Sequence, residues 1–269
     1  MSSWAEVFYF NYPQLYLPLM ENNKEAAIEE AIQINEKILK EFFPPNKKLK
    51  VLDLCCGIGT HALALASIGH EVVGYDFSPH CIERAKKWAT EKKLDEEKIR
   101  FYQGDIREVS RFLIQNQETD FDAILNLGTA HGFYGEDEDR KLFKELLSFA
   151  APGCLLIIGT VNKDWIIKHG TPYGFDVIKG TRIQVEQKRN LNLETSTMKN
   201  EWKYQEILPQ GGTKHLLDLQ VNHRIYAPHE LANLLTDLGW IHLKSYGSLG
   251  KLESSSPEYF RMTIVAKKE

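Results

Sequence analysis

The stretch from Val51 to Ala85 limits the possible fold more than any other part of this chain. It opens with a short apolar run that is typical of a buried parallel strand, and Gly57 and Gly59 follow it closely. Apolar residues at helical spacing come next, and then a second apolar run that ends at Asp76, 19 residues after Gly57. Strand, glycine turn, helix, strand and acid in this order predict a nucleotide half-site of Rossmann type, with the acid placed to hydrogen-bond ribose hydroxyls.

The nucleotide is indicated by Asp53, which lies at the end of the first predicted strand. The pattern Gly57-x-Gly59-x-x-Ala62 also fits a dinucleotide enzyme, so the glycines leave an NAD(P)-dependent oxidoreductase open. A carboxylate beside the turn would repel a pyrophosphate but attract a cation. S-adenosylmethionine (SAM) carries a sulfonium and an ammonium, and the charge of Asp53 therefore favours SAM.

Composition narrows the class of partner. The 269-residue chain is 43% hydrophobic and has a net charge of −4, which gives no basis for the clustered basic surface of a nucleic-acid-binding protein. No segment approaches the roughly 18 to 20 apolar residues of a membrane span. Four cysteines, two of them adjacent, do not form a disulfide framework, and no His or Cys spacing favours a metal site. We expect a cytoplasmic protein that binds neither membrane nor nucleic acid.

The order of predicted elements indicates an α/β fold. Strands alternate with helices up to about residue 160, which predicts a Rossmann-like, seven-stranded, mostly parallel sheet with helices on both faces. Turn residues then separate three β-like stretches, which predict a three-stranded antiparallel insertion. The predicted parts are an N-terminal aromatic segment and helix (1–44), the nucleotide-binding domain (45–170 and 227–269) and the insertion that covers the substrate site (171–226). The N-terminal segment either docks on the core or acts as a lid over the pocket.

A second carboxylate follows the third predicted strand, in Gly104-Asp105-Ile106. Ligands of open α/β sheets bind beyond the carboxyl ends of the strands, so Asp105 could accept a hydrogen bond from an adenine amino group while Ile106 packs on the ring. The same spacing also suits a helix N-cap at Asp105. The sequence leaves both readings open.

These motifs resemble those of class I SAM-dependent methyltransferases in order and spacing. The resemblance rests on Asp53-Leu-Cys-Cys-Gly57-Ile-Gly59, Asp76, Gly104-Asp105-Ile106 and Ala151-Pro-Gly153, and it covers residues 45–160. The rest of the chain is similar to a prokaryotic small-molecule branch with a β insertion after the fifth strand. That likeness is carried by an aromatic N-terminal segment and by Asn162-Lys-Asp-Trp165, Arg224-x-Tyr226 and Glu230-Leu231.

The resemblance implies positions for the cofactor. The methionine portion would lie over the glycine turn, the ribose on Asp76 and the adenine beside Asp105 and Ile106. Asp53 would face the methionine amino group through water, and the Asn126 backbone would touch the methionine end. Cys55 stands where the family often has glycine, which matters little because only its backbone need face the cofactor. The implied cofactor-binding residues are Asp53, Cys55, Gly57, Gly59, Asp76, Phe77, Asp105, Ile106 and Asn126.

Candidates for substrate or catalytic roles follow from the remaining polar residues. His131, on the loop after the fourth strand, is a possible general base, although it stands where the branch often has an aromatic residue and a lone histidine is more often structural. His223 and Arg224 close the insertion, where Arg224 could hold an acidic substrate group or form a structural ion pair. Tyr16 could line the pocket or pack in the core.

The sequence thus predicts a methyltransferase that moves a methyl group from SAM to an O or N atom of a small molecule by direct in-line displacement. S-adenosylhomocysteine would be the product. Two alternatives stay open: the NAD(P)-dependent oxidoreductase, and a SAM-binding protein without turnover. We expect a monomer, or a homodimer formed through the exposed face of the insertion.

Overall fold

The computed structural model describes residues 4–128, 130–249 and 253–269. Parts of three predicted segments lie outside the described residues: positions 1–3 of the N-terminal segment, Thr129 in the loop after the fourth strand, and positions 250–252 near the C-terminus. In the described part of the chain, no helix is both long and apolar enough to cross a membrane.

Helices and strands alternate through most of the chain. The helices are α1 Trp4–Asn11, α2 Pro13–Asn22, α3 Lys24–Ile34, α4 Lys40–Phe42, α5 Thr60–Ser67, α6 Pro79–Glu91, α7 Val109–Gln115, α8 Glu136–Leu146, α9 Lys163–His169 and α10 Pro228–Asp237, with a π-helical turn at Asn35–Leu39 and a 3-10 turn at Ile106–Glu108. The strands are β1 Lys50–Leu54, β2 Glu71–Asp76, β3 Ile99–Gln103, β4 Phe121–Asn126, β5 Ala150–Val161, β6 Tyr173–Val177, β7 Ile183–Asn192, β8 Thr197–Ile207, β9 Thr213–Arg224, β10 Ile241–Ser248, β11 Glu253–Ser254 and β12 Arg261–Lys267.

The central sheet has the strand order β11-β10-β12-β5-β4-β1-β2-β3. The pairs within β1 to β5 are parallel, and β12 lies antiparallel to both β5 and β10. The strand beyond the predicted seven is β11, a two-residue strand at the edge. One apolar layer packs on each face of the sheet, which confirms the Rossmann-like α/β class.

The insertion is a separate antiparallel sheet of four strands in the order β6-β7-β8-β9. The sequence predicts three strands, and the additional one is β6, whose residues pair with Gln184 to Lys188 of β7. The Ala151-Pro-Gly153 motif does not form a separate turn, because these residues already belong to β5. Gly153 has a φ of 80°, and the β4–β5 register shifts between Phe121 and Ala123, so the strand absorbs the irregularity.

The N-terminal helices lie between the two sheets. Phe8, Leu15 and Tyr16 form one apolar cluster with Ile58 of the glycine turn and with Tyr204 of β8. The aromatic N-terminal segment is therefore packed against both the nucleotide half-site and the insertion. This packing brings side chains from the first 30 residues over the carboxyl ends of β1 and β2.

Candidate functional site

The turn after β1 has a left-handed backbone at Cys55, Gly57 and Gly59, with φ values of 56°, 56° and 76°. A Cβ atom on Gly59 would lie 2.7 Å from Cζ of Phe101 and 2.9 Å from Cβ of Ala85. Glycine is thus required at position 59 both by the backbone conformation and by the space available. The tight turn lets α5 begin directly behind the end of β1.

Asp76 ties the end of β2 to this turn. Its Oδ2 atom accepts a hydrogen bond of 2.8 Å from the Gly57 N–H, and its Oδ1 atom accepts one of 2.8 Å from the Ser78 N–H. Burial raises the pKa of Asp76, and the N–H groups of Ser78, Gly57 and Phe77 oppose that rise. Each carboxylate oxygen keeps a further lone pair, so Asp76 can still accept hydrogen bonds from a pair of hydroxyl groups.

A cavity of about 520 Å³ opens above the turn and is called the turn cavity here. Cys55, Gly57 and Asp76 line its floor, and Phe77 and Ile106 line one side. Its volume lies within the range of about 300 to 1,000 Å³ that is typical of small-molecule sites. The other described lining residues are Ala5, Tyr9, Leu19, Met20, Asn23, Ala27, Cys56, Ile58, Thr60, His61, Tyr75, Gly104, Leu127, Gly128, Ala130, Phe133, Tyr134 and Arg261.

Two buried polar groups near the turn have an atom without a hydrogen-bond partner in the described structure. One is Oδ2 of Asp53, a residue that is 1% exposed, and the other is Nδ2 of Asn126. Burial raises the pKa of Asp53 to about 6, with the neighbouring Asp76 adding to the rise and His61 opposing it. An unpaired buried carboxylate oxygen is costly and is relieved by a cationic group or a water molecule.

The predicted adenine residues behave differently from each other. Ile106 lines the turn cavity, whereas the Asp105 side chain caps the 3-10 turn by accepting a hydrogen bond of 2.9 Å from the Arg107 N–H. Asp105 also forms an ion pair of 2.5 Å with the Arg107 guanidinium, which is the main attraction that lowers its pKa against the opposing effect of burial. The N-cap reading of Asp105 is thus observed, and its adenine role stays a prediction.

His131 and His223 form a buried pair, and neither is among the described residues that line the turn cavity. His131 is 2% exposed, its Nδ1 atom lies 3.1 Å from Oδ1 of Asn126, and its carbonyl accepts a hydrogen bond from Nε2 of His223 at 3.0 Å. Burial lowers the pKa of His131 to about 3 and that of His223 to about 4. Both rings are neutral near pH 7, and a base of such low pKa is poorly matched to that pH.

Arg224 and Tyr16 have the structural roles that the sequence leaves open for them. The Arg224 guanidinium lies 3.1 Å from Glu136 and 3.5 Å from Glu230, and it stacks on the Tyr226 ring. The Tyr16 hydroxyl lies 2.8 Å from the Ser78 Oγ and donates to the carbonyl of Tyr9. Neither side chain is among the described residues that line the turn cavity.

Several lining residues of the turn cavity are not indicated by any motif. Tyr9 and Met20 reach it from α1 and α2, His61 from the start of α5, and Arg261 from β12. His61 also contacts Glu30 of α3 at 3.0 Å. The aromatic composition of the N-terminal segment is the one signal for Tyr9. The other positions depend on the packing of distant elements, which the local pattern does not specify.

A second cavity, of about 600 Å³, lies between the inner face of the insertion and α9 and is called the insertion cavity here. Its described walls are largely apolar and aromatic, and they include Trp165, Trp202 and Phe260. Phe133 lines both cavities, so this ring borders the two spaces. Phe133 is held by edge contact with Trp4 at 4.8 Å and by the His223 ring at 4.8 Å.

Comparison with known proteins gives a family match for part of the chain. Residues 51–153 match the model of a methyltransferase domain. A glycine/sarcosine N-methyltransferase of Aphanothece halophytica is 30% identical over 122 residues, which are 45% of this chain and 43% of that protein. The chain thus spans less than half the length of this curated relative.

Two solved structures share the fold over nearly the whole chain. A SAM-dependent methyltransferase from Clostridium acetobutylicum superposes with a TM-score of 0.74 at 15% identity, covering 96% of this chain and 99% of that one. SAM-bound CalS10, an amino pentose methyltransferase from Micromonospora echinaspora, superposes with a TM-score of 0.67 at 18% identity, covering 95% and 97%. At these identities the likeness establishes the fold alone.

Residues 51–153 thus match a methyltransferase domain, and the chain as a whole has the fold of solved SAM-dependent methyltransferases. SAM is named as the cofactor of both of those structures, and the residues around the glycine turn of this chain fit it. The unpaired Asp53 oxygen suits a cationic group near the turn, and Asp76 suits the ribose hydroxyls. The glycines leave room for a ligand to approach the backbone closely.

Proposed function

We propose that this chain transfers the methyl group of SAM to an O or N atom of a small-molecule acceptor by direct in-line displacement. The observation that carries the proposal is the position of Asp76, whose carboxylate joins the glycine turn and lines a cavity of about 520 Å³. A dinucleotide would bring a pyrophosphate next to the buried carboxylate of Asp53, which disfavours the oxidoreductase alternative.

Within this proposal the protein mainly binds and aligns. SAM supplies an electrophilic methyl group on a sulfonium whose leaving group is neutral. Asp76 holds the ribose, Asp53 offers a carboxylate to the ammonium, and Phe77 and Ile106 pack on the adenine. Holding two reactants in the right geometry can remove about 7 to 11 kcal/mol from a barrier. A general base is needed only for an acceptor that arrives protonated, and none is assigned.

The insertion cavity is proposed as the acceptor site. It adjoins the turn cavity at Phe133, and aromatic walls are typical of small-molecule sites. The net charge of −4 supports a small molecule over a nucleic acid as the acceptor.

The four cysteines are free thiols, three of them buried, which supports a reducing compartment such as the cytoplasm.

Thermal unfolding with SAM, S-adenosylhomocysteine, NADH and NADPH tests the cofactor. A ligand at about 100 times its Kd stabilises a protein by about 2.7 kcal/mol, so the two adenosyl ligands should raise the Tm and the nicotinamides should not. A shift with a nicotinamide nucleotide and none with the adenosyl ligands would overturn the proposal.

Turnover is tested separately, with SAM labelled in the methyl group and a panel of amines, phenols and hydroxy acids. Label should appear in at least one acceptor and depend on the protein. Binding of SAM without transfer to any member of a broad panel would favour the alternative of a SAM-binding protein without turnover.

A further inference from the structure

The insertion cavity contains an arginine whose charge is not balanced by the protein. Arg189 lies on β7, directly opposite Asn200 of β8, and both residues line this cavity. Its Nη2 atom donates to Oε1 of Gln187 at 2.5 Å, which leaves the other N–H groups of the guanidinium for further acceptors. Among the described lining residues of the cavity there is no carboxylate, and Arg189 takes part in no ion pair with the described residues.

The fold makes room for this guanidinium. It lies over Gly174 of β6, where a Cβ atom would come within 2.8 Å of Nη2 and 3.0 Å of Nη1. A side chain at position 174 would therefore displace the guanidinium from the wall of the cavity. By contrast, Arg224 at the far end of β9 is balanced by two glutamates. The chain thus pairs Arg224 internally and leaves Arg189 facing an apolar space.

A second donor in the same wall also lacks a partner. Trp202 of β8 lies opposite Gln187 of β7, and its indole Nε1 is buried without a hydrogen-bond acceptor in the described structure. An indole N–H can only donate, and leaving a buried donor unpaired costs about 1 to 3 kcal/mol. The other charged or titratable groups in the wall are already engaged: His169 contacts Glu258 at 3.1 Å, and Nε2 of His223 donates to the His131 carbonyl.

From these two donors in an apolar cavity, we infer that the acceptor is a small apolar or aromatic molecule that carries an anionic group, bound by Arg189 and completed by the Trp202 N–H. A carboxylate fits best because its two oxygens match the planar fork of a guanidinium. The inference rests on the proposed function, since it names the class of molecule that the proposed acceptor site takes. Phosphate shares this chemistry and is separated by the experiment.

The test is calorimetric titration into the full chain saturated with S-adenosylhomocysteine. The probes are 3-(4-hydroxyphenyl)propionate, its neutral amide, and phenyl phosphate. The variants are R189Q, which keeps much of the volume and removes the charge, and W202F, which removes only the indole donor. The matched control is R182Q, because Arg182 lies just before the same strand with a 60% exposed side chain, 3.7 Å from Glu206.

We expect the acid to bind more tightly than its amide, by roughly 10- to 100-fold, since hydrogen bonds to charged groups are the stronger ones. R189Q should remove that preference, and W202F should lower the affinity for the acid by a few-fold. R182Q should leave both the preference and the affinity unchanged. Phenyl phosphate could instead bind more tightly than the acid and lose this advantage in R189Q. That result would support the anion site at Arg189 but show that its ligand is a phosphate and not a carboxylate.

Equal binding of the acid and the amide, or no binding of any of the three probes, would overturn the inference. So would an acid preference that persists in R189Q. The titration of S-adenosylhomocysteine itself, done first, reports on the proposed function separately. If that ligand binds and the anion preference is missing, only the acceptor class is wrong; if it does not bind, the cofactor assignment is wrong as well.

Discussion

The carboxylate of Asp76 accepts the N–H of Gly57 at 2.8 Å, across 19 residues of chain. This bond joins the carboxyl end of β2 to the turn that follows β1. Ser78, two residues after Asp76, donates its own N–H to the second carboxylate oxygen and caps α6 by accepting the Cys81 N–H at 3.2 Å. One side chain thus shapes the turn, the start of a helix and the floor of the turn cavity.

The glycine turn should tolerate very little substitution at Gly59. In G59A, the added methyl group would meet Phe101 and Ala85 in a backbone with a φ of 76°. Left-handed backbone and overpacking together should cost about 2 to 4 kcal/mol of unfolding free energy. Urea denaturation measures this loss, and the matched control is G211A, because Gly211 has a φ of 93° and no atom within 4 Å of an added Cβ.

The control should lose only the backbone part, about 1 kcal/mol. An equal loss in G59A and G211A would show that the contact with Phe101 relaxes at no cost and that space does not restrict position 59.

Asp53 should make the cofactor-free protein less stable as the pH rises. Its pKa is about 6 in the folded chain against an ordinary value of 3.8, so the folded state binds the extra proton between these values. The contribution of the Asp53 carboxyl group to the free energy of unfolding is therefore fully present below about pH 4, and it is lost as the pH rises through about 6. D53N removes this dependence, and chemical denaturation along a pH series compares the two proteins.

SAM binding should show the opposite trend at the same residue. Ionised Asp53 attracts a cation, so the affinity for SAM should increase as the pH rises from about 5 to about 7, by up to about tenfold. Calorimetric titration of SAM into D53N should give a flatter profile. A wild-type profile that D53N reproduces would place the cationic part of the ligand away from Asp53.

His131 and His223 should destabilise the protein in acid. Burial lowers the pKa of both groups, so the unfolded chain binds more protons below about pH 6.5, and stability is lost as the pH falls toward the folded values of about 3 and 4. The free energy of unfolding that is lost between about pH 6.5 and 5 should be smaller in H131F by about 1 to 2 kcal/mol.

The control for this series is H215Q, since the His215 side chain is 56% exposed. It should follow the wild type. A loss in H131F as steep as that of the wild type would show that His131 is not held neutral by burial.

Local patterns predict the nucleotide half-site well because its determinants are close together in the chain. The positive φ at Gly57 and Gly59 and the N-cap at Ser78 are each set by a few neighbouring residues. β6 is not predicted, because it is short and is held by pairing with β7. The ion pair of Arg224 with Glu136 spans 88 residues, and the contact of Met20 with the turn depends on how α2 packs, so neither can be derived from spacing.

The most direct test of the cofactor assignment is calorimetric titration of S-adenosylhomocysteine into the wild type and D76N. The amide keeps one acceptor for the turn but removes the charge, so the variant should fold and bind about 10- to 100-fold more weakly. The control is D95N, because Asp95 has a 59% exposed side chain and contacts Lys98. It should bind as the wild type does. A folded D76N protein with the affinity of the wild type would contradict the placement of the ribose on Asp76.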